Sequence, residues 1–126
     1  VTPTSLGTGP GRALIALYGL FALAAGARAT VQILTRFDEA PLAYSLSAFA
    51  ALVYLLLTVA LVRGARGLAL AALGVELAGV LVIGTASVLD PAAFPEATVW
   101  SVYGKGYLFI PLVLPLVGLY WLMRRR

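Results

Sequence analysis

Four stretches of about twenty residues, each almost free of charge, dominate this chain, and a run of that length and character is what a helix needs to cross a bilayer core roughly 30 Å thick. They fall at residues 13–34, 42–62, 68–89 and 104–123. In hydrocarbon each backbone N–H and C=O must be satisfied within the protein, so each run is read as an α-helix. With 62% of the residues hydrophobic, 11% charged and a mean hydropathy of +1.00, no separate soluble domain fits beside them. The expectation is one domain of 126 residues, an all-α membrane protein built as an antiparallel bundle of four transmembrane helices.

The connections at residues 37–40 and 63–67 are short, which makes the first three spans consecutive antiparallel neighbours. The third connection, 90–103, opens with Asp90-Pro91 as a helix-start signal and carries Phe94, Pro95, Trp100 and Tyr103. Amphipathic rings favour the headgroup region, so this loop is expected to be interfacial. Residues 1–11, rich in Gly, Pro, Ser and Thr, read as a flexible tail whose glycines do not match a phosphate-cradling motif. Arg12 before an apolar run and the triplet Ala27-Arg28-Ala29 have the outline of a cleavable leader; the expectation is a retained span.

Basic residues are placed unevenly. Arg12, Arg63, Arg66, Arg124, Arg125 and Arg126 fall at one side of the alternating spans, and Arg36 and Lys105 at the other. An excess of Lys and Arg marks the cytoplasmic side, so both termini are expected inside, in a multi-pass protein of the cell (plasma) membrane. The closing arginines are read as a topology anchor, being too few for the usual anionic-lipid cluster. A net charge of +4 does not point to nucleic acid, because the basic residues flank apolar spans and form no soluble basic face. The lipid bilayer is the first partner expected.

Cys and His are both absent from the sequence, which removes thiol redox chemistry, His-assisted nucleophiles and Cys or His metal sites; no metal or cofactor is expected. Asp38, Glu39, Asp90 and Glu96 stand in turns and at helix starts, where helix dipoles and solvation account for them, so no catalytic residue is assigned.

Arg28 and Glu76 are the two formal charges well inside the spans, and each costs roughly 2.5–3.5 kcal/mol at mid-membrane unless compensated. At 1.5 Å per residue Arg28 stands roughly 22 Å above Ala13 and Glu76 roughly 12 Å above Leu68, on spans running in the same direction. The Cα–Cβ bond of Arg28 tilts back toward the membrane centre, which leans toward an Arg28–Glu76 pair. Ordering of the bundle, a proton or ion site around Glu76, and snorkelling of Arg28 to the interface all remain open. Tyr44, Ser47, Ala51, Tyr54 and Thr58 share one face of the second span, putting Ser47 level with Arg28 and Tyr54 level with Glu76 as its natural hydrogen-bond partner. In the fourth span Pro111 and Pro115 deprive the carbonyls of Tyr107 and Pro111 of helical donors, predicting a kink that packing fills or that lines a cation site. The candidate substrate or ion site is therefore Glu76, Arg28, Tyr54, Ser47, Pro111 and Tyr107.

Gly19, Ala22, Gly26 and Ala29 form a stripe on the first span that permits close helix packing. Arg28, Gln32 and Arg36 lie on a different face, so two sides of this helix call for protein contact, which implies a homo-oligomer or a larger membrane complex. The Ala/Gly/Arg/Leu-rich spans and the closing run from Tyr107 to Leu122 resemble small four-span integral membrane proteins of actinobacterial type. That resemblance carries no catalytic motif and transfers no function. Three roles remain open: a small transporter or channel-like homo-oligomer, a non-catalytic accessory or structural subunit, and, least favoured, a membrane-embedded enzyme. A water-accessible cavity reaching Glu76 favours the first, a dry, paired Glu76 with an exposed small-residue face the second, and a lateral pocket with Glu76, Tyr54 or Lys105 facing one reacting centre the third.

Overall fold

The computed structural model describes residues 9–124, whose regular structure is all helix, with no strand among them. The expected tail lies outside the described residues up to residue 8, as do Arg125 and Arg126. The helices are α1 (Pro10–Arg36), α2 (Pro41–Arg63), α3 (Arg66–Leu89) and α4 (Ile110–Arg124). The first three are each long and apolar enough to cross a membrane.

Local chemistry sets their ends. Proline opens both α1 and α2, where its missing N–H is one of the donors a helix start leaves unused. α1 therefore begins at Pro10, inside the stretch expected to be tail. At the other end of α2, Gly64 takes a left-handed conformation (φ 69°) while the Ala65 N–H reaches back to the Ala60 carbonyl at 2.8 Å. This six-residue closure satisfies otherwise free carbonyls and lets α3 start two residues later. α3 ends at Leu89, before Pro91, whose ring disfavours helix in the residue ahead of it.

The fourth span differs from its expectation. Residues 104–123 do not form one kinked helix: α4 begins at Ile110, and its 15 residues follow a tight turn, Ser101–Tyr107, with which it makes an angle of 98°. Pro111 thus sits in the first turn of α4, where a missing N–H costs nothing, and Pro115 alone interrupts the helix interior. The bend is made by residues in the left-handed region, Val102, Tyr103 and Gly104 (φ 49°, 60° and 84°), then Leu108 and Phe109 (φ 59° and 61°). For the non-glycine residues this costs on the order of 1–2 kcal/mol each, so tertiary contacts must hold the turn in place.

Those contacts are deep. The loop expected at the headgroups keeps Pro95 exposed, but from Thr98 it folds into the bundle, where Val99 and Trp100 are buried. The indole lies against Gly79 of α3, so close that a Cβ there would approach Cζ3 to 2.4 Å. Gly79 is ten residues before the end of α3, so Trp100 reaches roughly 15 Å back along that helix. Tyr103 fills a second notch at Gly84. Irregular backbone at this depth is tolerated where protein surrounds it. The polar groups of the segment are tied accordingly: Thr98 N–H donates to Ser101 Oγ (2.8 Å), Trp100 N–H to Thr98 Oγ1 (3.1 Å), and Val102 N–H to Ser87 Oγ (2.7 Å).

α1 lies chiefly on α2 along the small-residue stripe. Gly19 faces Thr58 and Gly26 faces Ala51, so the pairing expected of the stripe is made, at least in part, within the chain. α3 packs on α2, on the turned segment and on α4. Arg66 donates from Nε and Nη2 to the Leu122 carbonyl (3.3 and 3.0 Å), closing the last turn of α4.

Candidate functional site

Glu76, eleven residues into α3, is fully buried at 0% exposure. Its Oε1 accepts a 2.6 Å hydrogen bond from the Tyr18 hydroxyl of α1. Among the described residues its Oε2 has no hydrogen-bond partner. Buried polar atoms are nearly always satisfied, so a free carboxyl oxygen in the centre of an apolar bundle is an exception that calls for a physical cause, whether a water, an ion or a proton-handling role.

Aromatic side chains from several elements enclose this group. The Tyr18 and Tyr54 rings lie 6.0 Å apart, Phe21 stacks obliquely on Tyr54 at 5.6 Å, and Trp100 meets Tyr54 edge to face at 6.3 Å. Trp100 Nε1–H donates to the Tyr54 hydroxyl at 2.7 Å. The turned segment, through Trp100, therefore fixes Tyr54, and Tyr54 stands against the one phenol that holds Glu76.

The expected ion pair is not made. Arg28 is exposed on α1 and donates from Nη1 to the Tyr107 hydroxyl at 3.0 Å, a contact with the side chain and not with the carbonyl that proline was expected to free. A height difference of roughly 10 Å separates Arg28 from Glu76 on their helices, and the phenol of Tyr107 is closer to hand. Tyr54 lies at the expected level, beside Tyr18, but bonds Trp100 instead of the carboxylate. Ser47 is buried toward the other end of α2 and makes no hydrogen bond to a described residue; Pro111 is buried against Gly104. Of the six proposed site residues, then, Glu76 and Tyr54 share one cluster, Arg28 and Tyr107 form another at the surface, and Ser47 and Pro111 belong to neither.

Sequence reasoning missed Tyr18 and placed Trp100 at the wrong depth. The signal for Tyr18 was available: it stands roughly 7.5 Å above Ala13 against roughly 12 Å for Glu76 above Leu68, within reach of a phenol. Farther along the bundle Gln32 Oε1 and Tyr44 Oη are also buried without partners. On the outside of the α1–α2 pair runs an apolar lateral groove of about 860 Å³, floored by Gly19, Ala22, Gly26, Ala29 and Ala51. No group of three acidic side chains that would hold a metal ion occurs among the described residues.

Comparison with protein-family models, curated proteins and solved structures finds no match for this chain.

Proposed function

We propose that the chain is a small transport protein of the cell membrane, an antiparallel four-span bundle with cytoplasmic termini, in which Glu76 binds and releases a proton. The observation that carries this reading is the buried carboxyl group with one oxygen held by Tyr18 and the other free. An ionisable residue inside a span is costly and is a functional-site hypothesis by default. Enclosure at 0% exposure argues for a small cargo, because a larger solute would require the bundle to come apart around it. The broken fourth span adds support, since discontinuous helices and strained turns at depth accompany binding sites in transporters. Orientation rests on the six Lys and Arg residues on one side against two on the other.

The test is proton flux in proteoliposomes driven by a potassium diffusion potential and read by an entrapped pH dye. Wild type is expected to carry flux above empty vesicles, Glu76→Gln to abolish it, and Tyr18→Phe to reduce it. Wild-type flux equal to that of empty vesicles, or an unaffected Glu76→Gln variant, would sink the proposal.

The groove favours a second reading, an accessory or structural subunit whose α1–α2 face is covered by a helix of a larger assembly or a second copy. Small residues let backbones approach closely, and this groove is lined by them while remaining open. Filling it with Gly26→Leu distinguishes the readings: loss of assembly mass in detergent with flux unchanged supports a subunit role.

A further inference from the structure

Arg28 poses a problem that the protein leaves half solved. It sits eight residues before the end of α1, roughly 12 Å along the helix, on an exposed face of an apolar span. Among the described residues its hydrogen-bond partner is the Tyr107 hydroxyl, at 3.0 Å from Nη1. A phenol offers a lone pair and no charge, and a guanidinium presents five N–H donors. Among the described residues no acidic side chain pairs with it, and an uncompensated charge in an apolar span is costly.

The surroundings are arranged for an anion. Tyr107 is held in place by its ring, edge-on to Phe21 at 5.8 Å, so the hydroxyl that positions Arg28 is itself fixed. Lys105, exposed and two residues earlier in the same turn, has its Cα within roughly 7 Å of that of Tyr107 and carries a second positive charge on a long side chain. Between them Gly106 is exposed, and a Cβ added there would meet nothing within 4 Å, so that side of the turn is open. None of the acidic residues in the sequence lies in this segment or in the neighbouring turns of α1.

We propose that Arg28, Lys105 and the Tyr107 hydroxyl form a binding site for the phosphate of an anionic phospholipid, on the lateral surface between α1 and the turn that precedes α4. The guanidinium fork matches two phosphate oxygens, Lys105 adds a point charge, and the acyl chains lie along the apolar flank of α1. Basic pockets at helix junctions select anionic headgroups in this way. The site lies on a different face of α1 from the small-residue groove, so both can be occupied together. It does not depend on the role of Glu76.

The experiment is a titration of the purified full chain in detergent with phosphatidylglycerol, phosphatidylcholine of the same chains, and sodium phosphate, read by native mass spectrometry and by thermal unfolding. Phosphatidylglycerol is expected to bind and raise Tm more than phosphatidylcholine. Removing one charge, in Arg28→Gln or Lys105→Gln, should weaken its binding about fivefold, and removing both should abolish the preference. Arg28→Lys keeps the charge and loses the fork, so it should bind more weakly than wild type and more tightly than Arg28→Gln; with Lys105→Gln it gives the answer even if Arg28→Gln fails to fold. Equal binding of the two lipids, or a preference that survives the double change, overturns the proposal. A Tm rise with sodium phosphate as large as that with phosphatidylglycerol overturns the lipid as the source of the anion.

Discussion

The notch at Gly79 reports directly on the entry of the turned segment into the bundle. Gly79→Ala would place a methyl group 2.4 Å from Trp100 Cζ3 and 2.8 Å from Cε3 and Cη2. The indole has little freedom to retreat, being 1% exposed and tied through Nε1 to Tyr54 at 2.7 Å. Overpacking of this kind costs about 1–3 kcal/mol, against a gain of up to about 1 kcal/mol from replacing glycine in a helix interior. Gly74, five residues earlier on α3, has nothing within 4 Å of its added Cβ, so Gly74→Ala keeps the gain without the clash. The pair should differ by about 2 kcal/mol, or roughly 30-fold in the unfolding constant. Unfolding by titration with sodium dodecyl sulfate in mixed micelles measures both. With Trp121→Phe as background, Trp100 is the remaining tryptophan of the two, and its emission should shift to the red in Gly79→Ala alone. Equal stabilisation by the two alanines, with no spectral change, would refute the placement of Trp100 against α3.

Three further outcomes follow from the same contacts. Tyr18→Phe leaves both oxygens of Glu76 without a partner and should destabilise by about 1–3 kcal/mol, whereas Thr58→Val, which removes a bond to the Tyr54 carbonyl within the same helix, should stay within about 0.5 kcal/mol in the same micelle assay. Arg28→Gln and Glu76→Gln, which share no partner, should be additive within about 0.5 kcal/mol; a coupling above about 1 kcal/mol would restore the ion pair that the structure lacks. The chain has no cysteine, so Ala65→Cys and Ala92→Cys give unique thiols, which should react with an impermeant maleimide from opposite sides of the membrane; labelling of position 65 from outside intact cells would reverse the orientation.

Much of the frame was legible because membrane helices announce themselves by composition. Pro41 and Gly64 punctuate α2 as their backbone preferences require, and the ends of α2 and α3 fall within two residues of those expected at 42–62 and 68–89. Hydropathy failed at the fourth span because it sums over residues and is blind to φ. Residues 104–123 are as apolar broken as continuous, and the bend is made by Val102, Tyr103, Leu108 and Phe109, residue types that give no warning of a left-handed backbone. Gly104 and Gly106 were the available hint. Trp100 misled for a different reason: tryptophan favours the interface when it is free to choose, but here Gly79 leaves a slot of its shape and Tyr54 an acceptor for its N–H. The small residues of α3 were visible in the sequence; what they made room for was not, because the partner lies on a loop whose path no periodicity describes.

The two charges inside the apolar helices show why pairing was the natural expectation and why the bundle does otherwise. A pair cancels charge only if both members reach the same depth on facing surfaces, and Arg28 and Glu76 do neither. The protein instead gives each its own phenol, Tyr18 inside and Tyr107 at the surface. A phenol can hydrogen-bond either charge, but it cannot neutralise one, so each site is left wanting: the carboxyl keeps a free oxygen and the guanidinium keeps its charge. The turned segment is what makes this division possible. Within eight residues it sends Trp100 inward to brace Tyr54 beside the Tyr18–Glu76 bond and Tyr107 outward to hold Arg28. Trp100 and Tyr107 flank the left-handed run at 102–104, which reverses the chain between them. A regular helix over the same residues would set Trp100 and Tyr107 on one face, seven positions apart. The strain at 102–104 is therefore what allows one short segment to serve a buried acid and a surface base at once, and any movement of that segment would act on both.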